Sequence, residues 1–317
     1  MPHAGRIRGV TARSRGDAFA PVARPGALVA GLVLWLAVTV VASSLAAPIA
    51  YWAVEALAPG SFPFERVFRR VAMLVALVHL IVWLRRSGVR GWASAGFTRA
   101  GRSGAAIPVG AAVGLGAAAS IFALDVAFGA RGFDFGLGVG AALKALAGGA
   151  AIGLLEEGVF RGALVFPFGR VSGWSRAAVA TALCALYSTG HFARTRGAFE
   201  QIDLTSGFEL WRRAGESALG SPEPWVGLFA LGLLFDVLAR RQGHVWGAVA
   251  LHAGAVAGLQ LCGDLTTGAP QGTVFFTNGL HPAWPLAAIL ALAALAVEWS
   301  AREGQRAPAT SPESEDP

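Results

Sequence analysis

From Ala27 to Val54 the chain carries no charged residue. Similar apolar runs return at roughly 71–84, 105–128, 140–168, 174–193, 224–239, 245–262 and 283–301, separated by short polar breaks. A bilayer core is crossed by about 20 apolar residues in helical form, fewer or more with tilt. The pattern therefore predicts an all-α, polytopic transmembrane helical bundle of about eight spans. The sequence SSLAAPIA near the end of the first run imitates a signal-peptide cleavage site, but the apolar core of a signal peptide covers only about 7–15 residues. The first run is read as a retained span. Residues 1–26 precede it as a basic cytoplasmic arm, 27–301 form the membrane domain, and 302–317 make a disordered, acidic, proline-rich tail.

Charge orients these spans. Arg85, Arg86, Arg90, Arg99 and Arg102 fill the second connection without an acid, Arg170 and Arg176 follow the fourth span, and Arg240 and Arg241 follow the sixth. Basic connections stay cytoplasmic, which places both termini in the cytoplasm. The connection 194–223 mixes bases with acids and falls outside. Tryptophans 52, 83, 174, 225, 246, 284 and 299 lie near predicted span ends, as interfacial belts do. GAAVG (110–114), GVFRG (158–162) and GAVAG (254–258) offer small-residue faces for close helix contact. They specify no particular pairing.

Composition narrows the class further. Hydrophobic residues make up 55% of the 317, charged ones 14%, against roughly 25% charged in soluble domains. The net charge of +7 does not signal nucleic acid, because the arginines sit between apolar runs. Cys184 and Cys262 both fall inside such runs and read as packing residues rather than a disulfide or metal framework. The alanine, glycine and arginine load fits a bacterial protein of the inner membrane.

The expensive residues are the informative ones. An ionisable group in a span costs roughly 2.5–3.5 kcal/mol even on the lower scales, yet LEEGVFRG (155–162) places three in the fourth span. Glu157 and Arg161 are four apart and can pair, while Glu156 is rotated by about 100° and is left to face a polar cavity. A helix end reaching water would also accommodate all three. His191, four residues after Tyr187 in LYSTGHFA, and His252, in GHVWGAVALHAG, stand in two further spans. Each histidine alone reads as interfacial or as a hydrogen-bonded core residue, and His244 as interfacial. Asp125, Lys144, Asp236 and Glu298 lie near enough to span ends to snorkel or reach water.

Together the carboxylates and histidines suit hydrolysis. A glutamate beside a second acid in a partly dry site can deprotonate water and return the proton to a leaving amine. Facing histidines can donate hydrogen bonds to the oxyanion. The same side chains could instead hold zinc, although no HExxH occurs.

In order and spacing these three segments resemble the CAAX-processing and bacteriocin-immunity (CPBP, or Abi) family of intramembrane proteases, over about residues 140–262. EEGVFR is similar to the family's EExxxR, Tyr187 and His191 to an aromatic four residues before a histidine, and His252 to the third-motif histidine. The resemblance implies an intramembrane endopeptidase in which Glu156 activates water, Glu157 and Arg161 support it, His191 and His252 stabilise developing charge, and Tyr187 lines the substrate site. It implies no required cofactor, zinc being the other possibility considered for the family. The expected partners are the lipid bilayer and a membrane-anchored protein or peptide cut near its anchored end. Where many relatives carry an asparagine four residues after the third-motif histidine, this chain has Val256, and Tyr187 stands for the usual phenylalanine. Two other readings remain: a catalytically silent binding or immunity protein on the same scaffold, and a proton-coupled transporter with Glu156 and Glu157 as relay.

Overall fold

The computed structural model describes residues 25–86, 91–97, 104–129, 131–134, 136, 138–165, 174–192, 199, 201–267 and 284–306. Each of the eight apolar runs contains a helix among the described residues: α1 (Pro25–Leu57), α2 (Phe64–Arg86), α3 (Ala106–Ala127), α4 (Val139–Glu157), α5 (Trp174–His191), α7 (Pro222–Gln242), α8 (Trp246–Asp264) and α9 (Trp284–Arg306). The π-helical turns Gly158–Val165 prolong α4 without a break. Six of the described helices are long and apolar enough to cross a membrane: α1, α2, α3, α4 with its π-helical extension, α7 and α8. The remainder of the expected basic arm, 1–24, and of the acidic tail, 307–317, lies outside the described residues.

The connection 194–223 is not simply a loop. It contains α6 (Ser206–Gly220), a short helix with one ionic face. Asp203 Oδ1 accepts hydrogen bonds from the backbone N–H groups and hydroxyls of Thr205 and Ser206 at 2.7–3.0 Å, which organises its first turn. Gly207 lies directly on the backbone of α1: a Cβ there would stand 2.3 Å from the Ser44 carbonyl oxygen. Trp211 donates from its indole nitrogen to Ser43 Oγ at 3.2 Å. Phe64, Phe68, Ala47 and Leu210 close one apolar core between α1, α2 and α6. A second core joins Leu32, Trp35, Leu80 and Trp83 of α1 and α2 to Leu164 and to Val179 and Leu183 of α5. Trp83, expected at the interface, is therefore a core residue.

Small residues seat α8 between α3 and α4. Cβ atoms added at Gly114 and Gly254 would lie 2.2 Å from the carbonyl oxygens of Leu251 and Ala111, so GAAVG and GAVAG face one another across α3 and α8. On the other flank, Gly149 and Gly153 of α4 meet the backbone of α8 at Ala253 and Val249. GVFRG does something else. Gly158 and Gly162 pack against the Phe97 ring, and Gly162 also against the Ala95 carbonyl, in a segment that carries the 3-10 turn Trp92–Ala95. That segment docks on the turn before α8 through Val245 N–H and the Gly96 carbonyl (3.1 Å), and Phe97 meets Trp92 and Trp246 edge to face. His244 lies in the same turn and is enclosed by protein.

Two of the acids expected to reach water are buried. Asp125 pairs with Arg131 at 3.7 Å, beside a two-residue antiparallel ladder of β1 (Gly132–Phe133) and β2 (Thr266–Thr267). Asp236 accepts from Arg240 Nε at 2.8 Å. In each case an arginine on the same or the next segment supplies the charge that water would otherwise supply. Lys144 is exposed as expected, and the side chain of Glu298 lies outside the described residues.

Candidate active site

The residues that look costly one span at a time converge in space. Glu156 and Glu157 end α4, Tyr187 and His191 occupy the last two turns of α5, and His252 stands in the second turn of α8. His191 Nε2 lies 3.8 Å and His252 Nε2 4.0 Å from the same oxygen, Glu156 Oε2. That oxygen has no hydrogen-bond partner among the described residues. The Glu156 side chain is 28% exposed, so it borders a partly open space as the rotation argument required.

Behind it stands a closed ionic layer. Arg161 Nη1 lies 3.2 and 3.1 Å from the two oxygens of Glu157, and both side chains are buried. Arg161 Nη2 donates to the Gly232 carbonyl of α7 at 2.8 Å. Its guanidinium also rides 4.6 Å over the Tyr187 ring and 5.4 Å over Phe235. Gly232 leaves room for this approach: a Cβ there would stand 3.3 Å from Arg161 Nη2 and 3.4 Å from Cys184 Sγ, a tight but not clashing fit. Cys184 is thus a packing residue beside the ion pair, without a disulfide. Two of the three charges are not solvated at a helix end: the continuing π-helical turns keep Glu157 and Arg161 enclosed, and such turns recur at functional sites.

One contact joins the layers and could not be read from spacing. His252 Nδ1 lies 2.8 Å from Glu157 Oε1, while Phe235 stacks on the imidazole with centroids 5.0 Å apart. Against a carboxylate already held by an arginine, Nδ1 is the donor. His191 Nδ1 likewise meets the Tyr187 carbonyl at 2.8 Å, and a carbonyl can only accept. Both rings therefore carry a proton on Nδ1 and turn Nε2 toward Glu156. Tyr187 wedges between them, its ring 4.7 Å from that of His191 and 6.5 Å from that of His252.

The sequence search overlooked His79, which sits inside α2 and whose Nδ1 has no hydrogen-bond partner among the described residues. The gathered groups touch none of it. All six expected site residues are thus in one place, Tyr187 included.

A metal would need a tighter set. Tetrahedral zinc with bonds of about 2.0–2.1 Å holds its ligand atoms roughly 3.3–3.5 Å apart, closer than either Nε2 stands to Glu156 Oε2. Among the described residues no three His, Cys, Asp or Glu side chains are grouped to hold a metal ion. As arranged, the donors do not fit one.

Comparison with known proteins gives one finding. Residues 138–257 match a family model described as Rce1-like, type II CAAX prenyl endopeptidase. The match spans α4 to α8 and holds all three motifs. No curated protein and no solved structure gives a match.

Proposed function

We propose, from the premise that residues 138–257 form a segment like the Rce1-type CAAX endopeptidases, that the protein is an intramembrane endopeptidase using Glu156 to activate water. The observation that carries this is the convergence of both Nε2 atoms on an otherwise unpartnered, enclosed carboxylate oxygen of a part-exposed side chain. A water held there loses a proton to Glu156 as its oxygen attacks the scissile carbonyl carbon. The carbonyl π pair moves onto oxygen, giving an oxyanion. When the oxyanion collapses, the C–N bond breaks and Glu156 hands its proton to the departing nitrogen, leaving an amine and a carboxylic acid that keeps the second proton of the water.

The histidines divide the remaining work. With Nδ1 committed to donation, Nε2 donates only if the ring carries a second proton. His252 is suited to that, because the Glu157 carboxylate lies against its Nδ1 to balance an imidazolium charge. His191 has only a carbonyl behind it. As neutral imidazole it offers Nε2 as an acceptor that aims the water. Glu157 and Arg161 hold His252 in place rather than touch substrate. No step passes through a metal, since the donors present do not fit one.

The substrate is a membrane-anchored protein or peptide cut near its anchored end, and the bilayer is the protein's solvent. An inner-membrane location with both termini cytoplasmic accounts for the arginines that end α2 and α7. The silent-scaffold and transporter readings explain the ionic layer but give no reason for two imidazoles to aim at one carboxylate.

The test is cleavage of a library of membrane-tethered C-terminal peptides by the purified full chain. Glu156→Gln and Glu156→Ala are expected to abolish turnover, with wild type indifferent to a strong zinc chelator. Chelator-sensitive turnover would reinstate zinc, and full activity in both variants would end the endopeptidase reading.

A further inference from the structure

The oxyanion in this site is short of donors. His252 can supply one, His191 in its neutral form supplies none, and Val256, one turn beyond His252 on α8, has no side-chain donor. A single hydrogen bond is a thin provision for a charge that develops away from water.

One hydroxyl in the site is unaccounted for. Tyr187 is among the most completely buried large side chains of the protein, yet its phenol oxygen has no hydrogen-bond partner among the described residues. A buried hydroxyl without a partner is destabilising, because its desolvation is uncompensated, and a phenylalanine would avoid that cost while keeping every ring contact. The ring is fixed from three sides: Arg161 over its face, and Phe160 and His191 edge to face. Glu156 Oε2 and Tyr187 Oη are thus both enclosed and without a hydrogen-bond partner among the described residues, as is Glu157 Oε2 beside Arg161.

We infer that the Tyr187 hydroxyl is a catalytic hydrogen-bond donor, paired with His252 at the oxyanion of the tetrahedral intermediate. It donates through its own O–H and transfers no proton. Its unmet hydrogen bond in the free protein is then a ground-state cost that is relieved as the oxyanion forms, which is where relief accelerates a reaction. The inference rests on the endopeptidase reading and adds to it a residue that acts through its oxygen rather than its ring.

The experiment compares wild type, Tyr187→Phe and Glu156→Gln in proteoliposomes, using a tethered peptide that wild type cleaves, together with thermal unfolding of each protein. Tyr187→Phe is expected to lower kcat by about 100-fold, the scale of one oxyanion donor, with KM within twofold of wild type and a thermal midpoint equal or higher. A kcat within twofold of wild type, beside an inactive Glu156→Gln, would overturn the role of the hydroxyl and leave the endopeptidase standing. A loss that appears in KM, or that follows a fallen thermal midpoint, would also overturn it, by making Tyr187 a substrate contact or a packing residue. Full cleavage by Glu156→Gln would remove the endopeptidase reading and this inference with it.

Discussion

At the scale of single residues, Glu157 is the hinge of the site. It pairs with Arg161 and holds His252, so that one carboxylate serves both the ionic layer and the imidazole. A buried pair that loses one member leaves an uncompensated charge, at a cost of about 3–5 kcal/mol, whereas an apolar replacement of both is often close to neutral. Arg161→Leu is therefore expected to destabilise the protein by that amount in detergent unfolding. The double variant Glu157→Leu/Arg161→Leu should regain most of the stability and none of the turnover. If the single variant unfolds like wild type, the pair is not the structural element described. The Glu157–Arg161 bond was legible because i and i+4 on a helix are neighbours. The same spacing at Asp236 and Arg240 carried the same signal and went unread. The bond from Glu157 to His252 joins positions 95 apart, and no periodicity within either span could have announced it.

Elements add what residues cannot. The spans were readable as apolar runs because length and lack of charge are decided within one helix. Their contacts were not, because a glycine pair becomes a seam only when a second backbone arrives. Gly153→Ala is expected to lower turnover at least tenfold and to lower the thermal midpoint, since a Cβ would lie 2.7 Å from the Val249 carbonyl oxygen and would push α8, with His252, away from Glu157. Gly140 in the same helix meets nothing within 4 Å, so Gly140→Ala should leave turnover unchanged and gain up to about 1 kcal/mol of helix propensity. Equal behaviour of the two variants in a paired melt and cleavage assay would contradict the seam. α6 escaped notice for a different reason. A helix of 15 residues with one ionic face, among acids and bases of both signs, looks like a polar connection until α1 is there to receive Gly207.

At the scale of the whole molecule, α6 is a charged helix between two spans, and its acid–base behaviour has a definite sign. Hydrogen bonds from Arg212 and Arg213 draw the Glu209 carboxyl down to about 2, from an ordinary value of about 4.3. A carboxyl depressed on folding lends its stabilisation above the unfolded value and gives it up as pH falls through the folded one. Protection of the α6 amides, followed by hydrogen exchange and corrected for the intrinsic rate, should thus hold from pH 7 to pH 4 and decline only toward pH 2. Protection unchanged from pH 5 down to pH 2 would mean that these exposed pairs do not act on the carboxyl, since a carboxyl with the same pKa folded and unfolded lends no pH dependence. The overall plan, an all-α bundle with a three-motif site, was legible at this scale. The depths of the motif residues were not: counted along separate spans, Glu156, His191 and His252 come out at unequal heights, and only the way the helices lean together places them within 4.0 Å of a common oxygen.

The seat of α8 has a mechanical consequence. Where two backbones touch through glycine, there is no long side chain to swing aside, and the joint is stiff on both flanks. α5 meets its neighbours through Tyr187, Leu183 and Trp225, whose rings and branches can tilt. The two histidines therefore stand on ground of unequal compliance. His252 is the fixed jaw, and in the proposed endopeptidase the room a peptide needs is yielded on the side of His191.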